Sequence, residues 1–170
     1  MKFIKVTEEI AKQISLKTKK PVDKDEIFCF EFIVADTSVN KDNTRFSLKS
    51  LYQLADLCIG KSYIVTDFIE SPLVNTCLKI FECEITQNQK LKAKAFILKN
   101  NVLGFAKRYL ISKHKCNIDF LAGFRQCSIC GEDYTECKHK EGKRYGFKKC
   151  HIILNDIISV YKLKNDEEDV

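Results

Sequence analysis

Five side chains suited to soft metal ions crowd into one 24-residue stretch, in the pattern Cys127-x2-Cys130-x6-Cys137-x-His139-x10-Cys150. This stretch holds few large apolar residues and so lacks a core of its own. A bound ion would contribute the folding free energy that its side chains cannot. Two cysteines two residues apart, followed by Gly131, have the form of a zinc knuckle. The tight turn aims both sulfurs at one point, and glycine accepts the backbone angles that come next. Zinc takes four tetrahedral ligands of thiolate and imidazole type. We expect Cys127, Cys130, Cys137 and His139 to be those ligands, with Cys150 in reserve for His139. Four filled positions leave none open, so the zinc would be structural. The competing readings are reduced cysteines without metal and a redox pair at Cys127 and Cys130; the redox reading leaves Cys137 and His139 unexplained.

The remaining cysteines, Cys29, Cys58, Cys77, Cys83 and Cys116, stand alone in apolar surroundings, where a reduced thiol behaves as a small hydrophobe. The first residues, Met1-Lys2-Phe3-Ile4-Lys5, lack an export signal, and no apolar run approaches the roughly 20 residues that cross a membrane. The expectation is a soluble intracellular chain with free thiols and no membrane partner. At 170 residues it fits one domain with a sizeable core, and only 6 Gly and 2 Pro argue against a disordered or collagen-like state.

The chain is rich in strands. Residues 27–34 form a continuous apolar run, which predicts a strand buried on both faces. The polar residues 35–43 follow as a loop. Ser47 then caps the clearest helix, in which Leu48, Leu51, Leu54, Ala55, Cys58 and Ile59 recur at helical steps and Gly60 marks the end. Strands are predicted over 63–68, 78–85, 116–120, 152–154 and 157–163. Residues 90–98 alternate lysine with apolar bulk, the mark of a half-exposed strand. Helical spacing also covers 6–14, through Ile10, Ala11 and Ile14, and 102–110. This mixture makes an α+β fold, with a compact barrel-like sheet and two or three flanking helices.

The net charge of +6 is uneven. Residues 61–126 carry 11 basic and 5 acidic side chains, with no Asp or Glu from Ile85 through Ile118. Lys92, Lys94, Lys107, Arg108 and Lys113 on that stretch are candidate contacts for nucleic acid or an acidic partner, with Phe96, Phe105 and Tyr109 interleaved as stacking candidates. The blander reading is a solvated lysine face. Six further basic residues, Lys138, Lys140, Lys143, Arg144, Lys148 and Lys149, surround the metal ligands, either to contact phosphates or to screen thiolate charge.

One family resembles this chain across roughly residues 27–161. The strings Ala35-Asp36-Thr37-x2-Asn40-x-Asp42-x3-Phe46-Ser47-x3-Leu51-x2-Leu54, Gly60-Lys61, Val65-x-Asp67, Leu78-x-Ile80-x-Glu82-x-Glu84 and Leu91-x-Ala93-Lys94-Ala95 are similar to those of tailed-phage head maturation (prohead) proteases. So is Cys127-Ser128-Ile129-Cys130-Gly131 with Cys137-x-His139-x2-Gly142-Lys143-x-Tyr145-Gly146, an insert in some of those proteins. The resemblance implies a β-barrel flanked by helices, like that of herpesvirus assembly proteases, that cleaves scaffold and capsid proteins. It divides the chain into a barrel-like domain over 1–126, a zinc-knuckle insert over 127–150, closing strands over 151–164 and an acidic tail over 165–170.

The family's catalytic histidine falls on Phe68 and its nucleophilic serine on Asn117. Phenylalanine has no lone pair for a proton, and an amide is not an acyl-transfer nucleophile, so the covalent step is lost. The expectation is a pseudo-protease, a structural or interaction component of phage or prophage assembly. Its partner would be a capsid, scaffold or host protein, and its place the bacterial host cytoplasm or the prohead. The alternatives are a zinc-containing nucleic-acid-binding protein and an active protease with non-standard residues, for which Cys116 and His114 are the nearest pair.

Overall fold

The structure, a computed structural model, describes residues 1–66, 75–101 and 116–165. Phe68, Lys107, Arg108, Lys113, His114, the helix expected over 102–110 and the acidic tail lie outside these residues. The elements run β1 (Lys2–Ile4), α1 (Glu8–Thr18), β2 (Ile27–Asp36), β3 (Thr44–Phe46), α2 (Leu48–Cys58), β4 (Ser62–Thr66), β5 (Asn75–Ile85) and β6 (Lys90–Leu98). After residue 115 come β7 (Cys116–Ala122), β8 (Arg125–Cys127), β9 (Arg144–Tyr145), β10 (Lys148–Lys149), β11 (Ile152–Leu154) and β12 (Ile157–Asn165). The α+β character stands, with a mostly β core and two α-helices among the described residues.

Among those residues the main sheet has seven strands in the order β1-β2-β6-β5-β4-β12-β7. Only the β4–β12 pair is parallel. A second sheet sets β11 between β3, parallel to it, and β8, antiparallel. No closed barrel forms among the described residues, which corrects the barrel expectation. β2 has two edges, and β6 takes one along its length while β1 takes part of the other, pairing Lys2 to Ile4 with Glu31 to Cys29. Among the described residues β7 stands last in the strand order, at the far end from β1. The sheet curls enough for β2 and β7 to touch, but no ladder joins them.

Alternation sorts the side chains onto two faces. On β2, Phe30, Phe32 and Val34 join Leu51 and Leu54 of α2 in the main core, while Ile27 and Cys29 meet Ile14 of α1 on the opposite face. Beyond Cys29 that opposite face opens, leaving Glu31 half-buried and Ile33 exposed, so β2 is buried on both sides only in its first half. β6 behaves likewise. Leu91, Ala93, Ala95 and Ile97 enter the α2 core, and Phe96 lies beneath α1.

Both helices start on hydroxyl caps, as backbone N–H groups at a helix start require. Thr7 accepts from Ile10 N at 3.3 Å, and Ser47 accepts from Ser50 N at 3.1 Å. Leu51, Leu54, Ala55 and Cys58 are buried as their spacing predicts, whereas Leu48 and Ile59, at the two ends, are exposed. Gly60 holds φ at 80°, a left-handed turn open to glycine, and its N–H reaches Ile80 O at 2.9 Å. Gln53 of α2 ties down the start of β12, accepting from Ile157 N at 3.1 Å and donating to Asp156 at 2.6 Å.

Burial pushes the Cys29 and Cys58 thiols up to about 12. An unfolded thiol ionises at about 8.5. The unfolded chain thus sheds these protons first, and stability falls as pH rises from about 9 toward 12. We expect urea midpoints to decline across that range, and the Cys29→Ala/Cys58→Ala variant to show a flatter decline. Iodoacetamide at neutral pH should modify exposed Cys77 but neither of the buried pair.

Candidate metal centre

β8 delivers Cys127 to the centre, and a tight turn brings the chain back to it. Gly131 N–H bonds Cys127 O at 2.9 Å, and Gly131 sits at φ 79°, a conformation a residue with Cβ adopts only with strain. Ile129 N–H points at Cys127 Sγ at 3.4 Å. The turn is anchored to His151, the residue before β11, through Ser128 N to His151 O at 3.0 Å and His151 N to Ser128 Oγ at 2.9 Å. Asp133 organises the next turn by accepting from Thr135 N and from Cys137 N, at 2.8 and 3.1 Å, with its side-chain and main-chain oxygens respectively.

The ligand atoms of Cys127, Cys130, Cys137 and His139 all lie within 4.8 Å of one another. His139 Nδ1 is 3.5 Å from Cys137 Sγ and 3.7 Å from Cys127 Sγ. Around a tetrahedral ion held about 2.3 Å from sulfur and about 2.0 Å from nitrogen, ligand atoms stand roughly 3.5–3.8 Å apart. The donors suit such an ion in chemistry, the two distances to His139 Nδ1 fall in that range, and the cluster could hold a metal. Cys150 is fully buried and outside that mutual set, with its Sγ 3.8 Å from Cys127 Sγ.

Burial favours the neutral thiol at Cys127, Cys137 and Cys150, but at Cys127 it is overcome. N–H groups of Cys130 and Ile129 and the neighbouring sulfurs bring that thiol down to about 6. Cys137 and Cys150 go the other way, to about 12 and about 11, through burial and the nearby Cys127 sulfur. Cys127 therefore ionises readily while Cys137 and Cys150 hold their protons, a condition that a bound cation reverses by displacing them. The largest influences here are burial, backbone N–H groups and the other sulfurs rather than the six surrounding basic residues.

The rim is built from aromatic rings and backbone. Tyr145 meets the His139 ring edge-on at 4.4 Å between centroids, and its hydroxyl accepts from Lys140 N at 2.9 Å. The Tyr134 hydroxyl accepts from Glu141 N at 3.1 Å. His151 stays out of the cluster, with Nε2 accepting from Arg45 Nε at 3.1 Å. Burial holds its imidazole below the usual range, and the Arg45 charge adds to this.

Among the described residues, the others singled out by sequence do not gather into a site. Asn117 lies on the exposed side of β7. Lys92 is paired with Glu84 and, at 3.7 Å, with Glu31, and Lys94 is paired with Glu82 at 2.5 Å. Lys92 and Lys94 of the basic stretch are thus balanced by carboxylates from neighbouring strands, a pairing that a linear count of charge does not register. Phe96 packs against Phe81 in the α1 core, with ring centroids 6.2 Å apart. Among the described residues no helix is long and apolar enough to cross a membrane. No family model, curated protein or solved structure matches this chain.

Proposed function

We propose that this chain is a binding protein, a prohead-protease-like scaffold without hydrolytic chemistry, in which a structural zinc ion holds residues 127–150 as a docking element. The observation that carries the reading is the convergence of Cys127, Cys130, Cys137 and His139. A soft, four-membered set of three sulfurs and one imidazole suits zinc above harder cations, and it leaves no vacant position for a substrate. An exposed amide at Asn117, where the related enzymes place their nucleophile, supports the absence of acyl transfer. The partner class implied is a capsid, scaffold or host polypeptide.

The test uses the purified full-length chain. Elemental analysis should find one zinc per chain, and capsid and scaffold polypeptides should survive incubation uncut. Labelling by a serine- or cysteine-directed covalent probe that depends on the folded state, together with cleavage, would establish the active-protease alternative instead.

A further inference from the structure

The hairpin beside the metal ligands carries a ring and a charge density that the metal does not use. Gly146 and Phe147 join β9 to β10, and Gly146 at φ 63° has the pattern of a type II′ turn, whose second position takes any side chain. Phe147 occupies that second position and is fully exposed. It neither shapes the turn nor packs against the protein. Behind it, Arg144 stands directly opposite Lys149 in the ladder, a like-charge pair that costs stability in a short ribbon.

Across residues 138–149 there are six basic side chains and one acidic one, Glu141. All six are exposed, and none forms an ion pair among the described residues. The contrast with β6 is direct, since Lys92 and Lys94 there are neutralised by carboxylates.

An exposed ring amid unpaired cations is the combination that grips single-stranded nucleic acid, where bases stack on aromatics and phosphates meet cations. Paired bases in a duplex offer no free face to such a ring. A lipid-inserting tip needs more apolar area than one ring, and Phe147 has glycine on one side and lysine on the other. We propose that the β9–β10 hairpin is a binding finger for single-stranded nucleic acid, with Phe147 stacking on an unpaired base and Arg144, Lys148 and Lys149 holding the flanking phosphates. This goes beyond protein docking while resting on the same metal-held segment.

Fluorescence anisotropy of a labelled oligo(dT) with the full-length chain tests it, with zinc content measured in every sample. Phe147→Ala should weaken binding roughly 5- to 100-fold without changing the salt slope. Arg144→Gln/Lys149→Gln should instead reduce that slope by about one to two. Phe147→Leu keeps an apolar tip but loses the stacking face, so it should fail with oligo(dT) as Phe147→Ala does. No binding at low salt, indifference to Phe147→Ala, or a preference for duplex or phosphatidylserine vesicles would overturn the finger. If zinc is present in such a sample, the metal-held segment still stands. Tight oligo(dT) binding by a chain without zinc would do the reverse, upholding the finger and removing the metal from the proposed function.

Discussion

Replacing Cys127 with serine should empty the metal centre and release the segment between β8 and β11 while the large sheet persists. This sulfur contacts both His139 Nδ1, at 3.7 Å, and Cys150 Sγ, at 3.8 Å, and receives the Ile129 N–H. A serine hydroxyl does not ionise near neutral pH and cannot replace a thiolate. Structural zinc in small peptides contributes roughly 10–16 kcal/mol, an order of magnitude above the ~1 kcal/mol of a typical hydrogen bond. In the proposed zinc-bound form, the turns around Gly131 and Asp133 would supply only the smaller part of what holds the segment. Elemental analysis should show the loss of the ion, and limited proteolysis should cut between residues 128 and 151. Cys150→Ser should keep the ion, being outside the mutual ligand set. If Cys150→Ser loses it and His139→Gln does not, the fourth ligand is Cys150.

Phe30→Ala should cost about 3–5 kcal/mol, the usual penalty for emptying a core phenylalanine site. The ring is completely buried, packs with Leu51 and Leu54 of α2, and meets Phe3 edge-on at 4.9 Å. Ile33→Ala on the same strand makes the control. Ile33 is 42% exposed, and the change there should stay within about 0.5 kcal/mol. Chemical denaturation of the two variants measures both. Equal losses would contradict the division of β2 into a core face and an open one.

Much of this architecture is legible in the chain wherever the signal is local. Ser47 and the apolar steps behind it define α2, the alternation of lysine with apolar residues defines β6, and 152–154 is bounded as expected. The metal cluster is legible for the same reason, because its ligands come from neighbouring turns whose spacing fixes their reach. What escapes is non-local. β1, β3 and β8 are three residues each, too short for a period, and exist because a partner strand fills their hydrogen bonds. Whether Ile33 is covered depends on how far α1 reaches, and whether the Lys92 charge is counterbalanced depends on Glu31 and Glu84 from two other strands. Closure of a sheet is equally invisible, because it turns on which edges are already taken.

Cys127 and Ile152 face each other across the β8–β11 ladder, so the intervening chain leaves and rejoins the body at a single doorway. An excursion with adjoining ends can grow, shrink or be exchanged without re-registering a strand. Swapping the appendage between chains of this architecture should therefore carry its proposed binding preference to a new host, so long as the host offers a seat for the Tyr134 ring that packs on the main core.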